Sequence, residues 1–125
     1  MSLYAMGEYP HIFGQAAAVS MHLPLANPDI AEADRAAAAQ MVADAFDKWI
    51  ATTRLDPAVH RFYRDHGTAT LDAFYPPYAD AFDRMMAARG WRWPRYEARR
   101  FTGTAHDETA WAERVDIPLL FLDRR

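Results

Sequence analysis

The side chains with the most chemical potential fall in one short stretch, Trp91 to Phe101, which reads WRWPRYEARRF. Trp91, Trp93, Tyr96 and Phe101 are interleaved there with Arg92, Arg95, Arg99 and Arg100. Aromatic faces stack on planar ligands, and guanidinium forks grip carboxylates and phosphates through paired hydrogen bonds. This composition suits an anionic small molecule or an acidic protein partner. The competing structural explanation buries the aromatics under a helix and lays the arginine stems over them. In an extended strand, Trp91, Trp93 and Phe101 share a face with Arg95, Glu97 and Arg99, so the pattern fits an interface and a half-buried edge strand equally well.

Histidine is the commonest acid–base residue near neutral pH, and the chain has five: His11, His22, His60, His66 and His106. His60 and His66 are six apart, which on a helix turns them to different faces and gives no metal pair. His106 precedes Asp107 and Glu108 at an expected helix start. His11 and His22 lie in or near apolar segments, where a hydrogen-bonded core histidine is the usual outcome. No His-Glu-x-x-His spacing occurs, and no metal or cofactor is expected.

Ala43–Lys48 and Ala79–Arg84 nearly repeat, as ADAFDK and ADAFDR. Each sets two aspartates three apart, Asp44 with Asp47 and Asp80 with Asp83. Four carboxylates on two packed helices would suit Mg²⁺. With Phe46 turned inward, however, Asp44 lies nearly opposite and Asp47 about 100° round the helix. A solvated face is the better reading.

Absences exclude several chemistries. Cysteine is missing, which removes disulfide scaffolds, thiolate metal sites and cysteine nucleophiles and suits a reducing compartment. Serine occurs only as Ser2 and Ser20, neither in a G-x-S-x-G elbow. The glycines are isolated, so there is no P-loop and no dinucleotide fingerprint. No apolar run approaches a membrane span, and no signal-peptide layout opens the chain, which makes the cytoplasm the expected compartment. The net charge of −3 conceals six arginines between Arg84 and Arg100 against one acid, Glu97. That overall acidity argues against nucleic acid, whose binding is dominated by phosphate neutralisation. Arginine and alanine excess both follow from a high-GC coding bias and carry little functional weight.

The elements that must position these groups start with a long helix from Asn27 to about Thr53. Asn27 would cap it, Pro28 fits its first position, and Asp29, Glu32 and Asp34 oppose the macrodipole. Ile30, Ala37, Ala38, Met41, Val42, Ala45, Phe46, Trp49 and Ile50 form its apolar stripe. Residues 4–14 read as an irregular arm; 15–25 alternate as a strand closed by Pro24 and Pro28, although Ile12, Ala16, Val19 and Leu23 would equally suit a helix face. Asp56-Pro57 and Gly67 bracket an expected short helix over 57–66. A brief turn over 71–75 precedes a helix from Pro76 to Arg89, stopped by Gly90. Residues 91–101 are expected as an edge strand because of Pro94, 107–115 as a short helix, and 117–122 as a buried strand.

One domain of 125 residues is expected, with residues 1–14 as an arm. Its fold is α+β and helix-rich: about four helices packed on one face of a small sheet of about three strands. The aromatic load of the arm and of the Arg/Trp stretch favours a homodimer. The leading functional expectation is a binding or interaction module that uses Trp91, Arg92, Trp93, Arg95, Tyr96, Arg99 and Arg100. The alternative is a small enzyme on an anionic metabolite, with arginine anchors and one of His60, His66 or His106 as acid–base. A pocket bringing an arginine and a histidine to one small molecule would favour that alternative.

Overall fold

The structure, a computed structural model, describes residues 1–25 and 30–124. Three strands form one sheet in the order β1 (Gln15–Ala18), β2 (Arg61–His66), β3 (Tyr96–Arg100). Both pairings are parallel, with Ala16 beside Phe62 and Phe62 beside Tyr96. Parallel neighbours need long crossovers, and helices supply them. A 3₁₀ turn (Glu32–Asp34) and α2 (Arg35–Thr52) join β1 to β2; a 3₁₀ turn (Thr70–Phe74) and α3 (Pro76–Ala88) join β2 to β3. The chain opens with α1 (Ser2–Glu8) and closes with α4 (Glu108–Ala112) and α5 (Asp116–Asp123). The helix-rich α+β composition and the three-stranded sheet are as the sequence led one to expect. No helix among the described residues is long and apolar enough to cross a membrane.

Central β2 is buried along its whole length, and its alternation decides the layers. Phe62, Arg64 and His66 face α2 and α3: the Phe62 ring lies 6.4 Å from that of Phe82, and Arg64 Nε donates to Asp83 Oδ1 at 2.7 Å. Arg61, Tyr63 and Asp65 face the opposite way, where Tyr63 meets Phe121 of α5 at 5.7 Å and Asp65 meets Arg114. Helices therefore cover both faces of the sheet, whereas one covered face was expected. The crossover helices α2 and α3 lie over one face, and the segment after β3, with Arg114 and α5, closes the other, as a parallel sheet buried on both sides requires.

Three other local expectations are corrected. Residues 57–66 are a turn followed by β2, not a helix. Asp56 Oδ1 accepts from Ala58 N at 2.8 Å and so caps a turn, after which the chain extends. The period failed there because Arg61, Arg64 and Asp65 look exposed in one dimension and are buried in three. Residues 117–122 form α5 rather than a strand, with Asp116 in the first turn and Pro118 near the start, where its missing donor costs nothing. Pro118 and Phe121, three apart, face inward, and Leu119 and Leu120 stay exposed. The irregular arm contains α1, whose Leu3 and Met6 join the core while Tyr4 stacks on Trp49.

In the long helix the inward face is Ala39, Ala43, Phe46 and Ile50, flanked by Ala38, Val42 and Trp49. Met41 is 72% exposed, which moves the stripe round from where the sequence put it. The expected caps at Asn27, Pro28 and Asp29 lie outside the described residues. The 3₁₀ turn over 70–74 and α3 follow the sequence closely; the helix expected over 107–115 is the shorter α4, which Asp107 caps, its Oδ1 accepting from Ala110 N at 2.8 Å.

Candidate functional site

Because all three strands run the same way, the loops that follow them gather at one end of the sheet. Open parallel sheets bind ligands there, outside the carboxyl ends of the strands. β1 delivers Ser20 and His22 to that end, β2 delivers Gly67, Asp72 and Tyr75, and the segment after β3 delivers His106, Trp111 and Arg114.

These groups form a buried polar junction. Ser20 Oγ donates to Asp72 Oδ2 at 2.8 Å and accepts from Arg114 Nη2 at 2.8 Å and Trp111 Nε1 at 3.0 Å. Ser20 has φ +46°, the left-handed region that a non-glycine residue rarely occupies. This turn points its N–H at Asp65 Oδ1, 2.9 Å away. The hydroxyl bonds carboxylate, indole and guanidinium and has no imidazole beside it, so Ser20 is a structural junction and not a nucleophile. Asp65 also accepts from the Tyr63 hydroxyl at 2.9 Å and from Arg114 Nη2 at 3.2 Å. Burial, then the Asp65 charge, holds the Tyr63 phenol far above its ordinary pKa.

Two hydrogen-bonded pairs lie between this junction and the surface. Asp72 Oδ1 lies 2.7 Å from His106 Nδ1, and a carboxylate can only accept, so Nδ1 carries the proton. The Tyr75 hydroxyl lies 3.5 Å from that nitrogen and 2.7 Å from His22 Nδ1. Burial, then the Asp72 charge, raises the Tyr75 pKa far above its usual value, so the phenol keeps its proton. Its donor therefore goes to His22 Nδ1, and a neutral His22 carries its own proton on Nε2.

Beside His22 lies a cleft of about 270 Å³, near the small end for ligand cavities. Pro24, Ile30, Leu71, Phe74 and Tyr78 make its apolar walls, and His22 and Arg35 are its polar groups. The Arg35 guanidinium sits 5.0 Å over the Phe74 ring, which orients it.

The residues singled out from sequence are dispersed. Trp91 and Tyr96 are buried in the core, Tyr96 donating to Asp83 Oδ1 at 2.5 Å. Burial is the main cause of the raised Tyr96 pKa. Trp93 is 59% exposed, and Arg92, Arg99 and Arg100 are also on the surface, where Arg99 pairs with Glu97 and Arg100 with Asp80. Arg95, half-buried, donates to the Val59 carbonyl at 3.1 Å. β3 is an edge strand, but it spans only Tyr96–Arg100: Pro94 lies in the turn before it, so residues 91–95 are not strand and the proline does not sit in the edge it was expected to mark. Asp47 pairs with Arg89 and Asp83 with Arg64. Among the described residues no cluster of three or more His, Asp or Glu side chains is placed to hold a metal.

His22 was expected as a core histidine; it is exposed, although it does carry the expected hydrogen bond. His11 is exposed too, and His60 is buried against the carbonyls of Pro10 and Asp56. Sequence reasoning missed Asp65, Asp72, Arg114 and Arg35, because nothing local marks a charge as buried or as facing a cleft. Of the aromatic arm, Tyr9, Ile12 and Phe13 are exposed.

His66 closes β2 on the α3 side, 1% exposed, with Nδ1 donating to the Gly67 carbonyl at 2.5 Å. Burial lowers its pKa, assisted by Arg64 and Arg100 and opposed by that carbonyl and by Asp72. The folded state thus resists a proton that the unfolded chain accepts near about pH 6.5. The His66 contribution is complete above that pH and is lost as the pH falls through it. Between pH 7 and 5, His66→Gln should remove up to about one proton's worth of slope, roughly 1.4 kcal/mol per pH unit. Urea titrations across that range read the difference, and identical slopes in the two proteins would refute it.

Compared with known protein families, curated proteins and solved structures, the chain matches none of them.

Proposed function

We propose that the chain is a small enzyme that takes an anionic metabolite, a carboxylate on a short apolar body, into the cleft beside α2. One observation carries this reading: Arg35 and His22 line the same mostly apolar cavity at the carboxyl ends of the strands. Arg35 is the anchor for the carboxylate, and its guanidinium offers two parallel donors. The apolar walls take the body of the ligand. His22 is the group that handles the reacting oxygen, since a fixed Nε2–H in a cleft of low polarity stabilises charge as it develops. The Tyr75 hydroxyl holds the ring in that tautomer. A cysteine-free chain suits cytoplasmic work of this kind.

An interaction surface around residues 91–101 is the weaker reading, because Trp91 and Tyr96 are committed to the core. Self-association through α5 and the arm, where Leu119, Leu120, Ile12 and Phe13 are exposed, leaves this cleft free. A monomeric mass by light scattering would dispose of it.

Thermal melting and calorimetry with short aliphatic and aromatic carboxylates, each beside its neutral amide, test the function. The carboxylates should raise the melting temperature and the amides should not. Arg35→Met should weaken the carboxylate by about 10- to 100-fold, the value of one charge-assisted contact. His22→Gln should keep affinity within a few-fold and lower turnover by about 10²–10⁴. Equal binding of acid and amide, or full affinity in Arg35→Met, would sink the reading.

A further inference from the structure

At the opposite end of the sheet, where the strands begin, three arginines converge. We propose that Arg61, Arg95 and Arg124 form a second site, specific for a single oxyanion group such as a phosphate. This inference is independent of the cleft at the other end.

The three guanidinium-bearing side chains and Pro94 line one cavity of about 140 Å³. Arg61 and Arg95 are neighbours across the sheet, because Phe62 is in register with Tyr96 and its N–H bonds the Arg95 carbonyl at 2.8 Å. Arg124 comes in from the end of α5. Each is held by a neutral group. Arg61 Nη2 donates to the Phe121 carbonyl at 2.6 Å, its Nη1 donates to the Arg124 carbonyl, and its guanidinium lies 4.5 Å over the Phe121 ring. Arg95 Nη1 donates to Val59, and Arg124 stacks 4.7 Å over Trp93.

The other buried arginines show what is unusual here. Arg64 is paired with Asp83 and Arg114 with Asp65. Arg61 is 8% exposed, yet among the described residues no carboxylate pairs with it, with Arg95 or with Arg124. Asp123 lines the adjoining open groove, which Arg61, Arg95 and Arg124 also line, but makes no ion pair with any of them, and Glu97 is engaged by Arg99. Buried charges are ordinarily paired, and like charges side by side repel. Burial, then the charges of Arg95 and Arg124, lowers the pKa of the Arg61 guanidinium. An oxyanion in the cavity would relieve all three cations at once through charge-assisted bonds. The small cavity takes one anionic group, and the carboxylate of Asp123 in the groove beside it opposes a longer polyanion.

The test is melting temperature and calorimetry with inorganic phosphate, against chloride at matched ionic strength. Phosphate should stabilise the wild-type protein saturably and beyond chloride. Arg95→Met and Arg124→Met should each weaken phosphate by about tenfold or more, while Arg84→Met, on an exposed face of α3, should leave it unchanged. Without phosphate, Arg95→Met should melt no lower than wild type, because it relieves repulsion; a lower melting point would mark Arg95 as merely structural and overturn the proposal. Equal effects of phosphate and chloride would overturn it as well. So would RNA retention lost in these variants without any phosphate binding, which would make the cluster a polyanion surface.

Discussion

Asp72→Ala should lower the unfolding free energy by about 3–5 kcal/mol, the range for breaking a buried charged contact from one side. Asp72 is fully buried and accepts from Ser20 Oγ, His106 Nδ1 and the Gly67 N–H, the last at 2.6 Å. Alanine leaves three donors facing a void that cannot satisfy them, and each unsatisfied donor costs about 1–3 kcal/mol. Asp72→Asn keeps the shape and one acceptor oxygen and should lose less than half as much. The ordering of the two variants is what separates lost hydrogen bonding from lost packing. Chemical denaturation with an unchanged m-value measures both. If alanine costs under about 1 kcal/mol, water has replaced the carboxylate and the junction is not dry.

Gly67→Ala should also be severe, about 3 kcal/mol, at the upper end of the range for overpacking. A Cβ at Gly67 would run into the backbone carbonyl and the hydroxyl of Thr104. Thr104 has little freedom to retreat, since its carbonyl accepts from Thr68 N at 3.1 Å and Ala69 N at 3.0 Å. The clash is with backbone, so no rotamer change relieves it. Those two bonds fasten the loop after β2 to the turn after β3, so the substitution strains the whole end of the sheet that carries Asp72 and His106. Thermal unfolding reads the loss, and a melting temperature within a degree or two of wild type would show that the loop yields. Gly14 has open space around it and makes a suitable control.

Gly67 illustrates how far a sequence reaches. Glycine there suggested a helix stop, a local argument about backbone conformation. Its actual necessity comes from Thr104, 37 positions along the chain, whose backbone passes where a side chain would be. The same division runs through the molecule. α3 was legible because its proline start, its 3.6-residue period and Gly90 at its end are all properties of adjacent residues. The strand at β3 was legible only in part, since Pro94 belongs to the turn that precedes Tyr96 and residues 91–95 are not extended in the sheet. β2 was not, because its charged residues are buried by partners from elsewhere: Arg64 by Asp83, Asp65 by Arg114.

The candidate site divides in the same way. What the chain lacks, cysteine and a serine elbow above all, left His, Asp, Glu, Tyr and Arg as the residue types an enzyme could use. That Arg35 and His22 line one cavity was decided by tertiary structure. Ser20 and Arg114 bond across 94 positions, and His22 and Tyr75 across 53. By itself the sequence determined the helix-rich α+β class, the helices α2, α3 and α4 and the chemical inventory, because propensity, period and composition are local or summed quantities. Burial of a charge, its partner and the meeting of Arg35 with His22 depend on contacts between distant segments, so only the folded chain decided them.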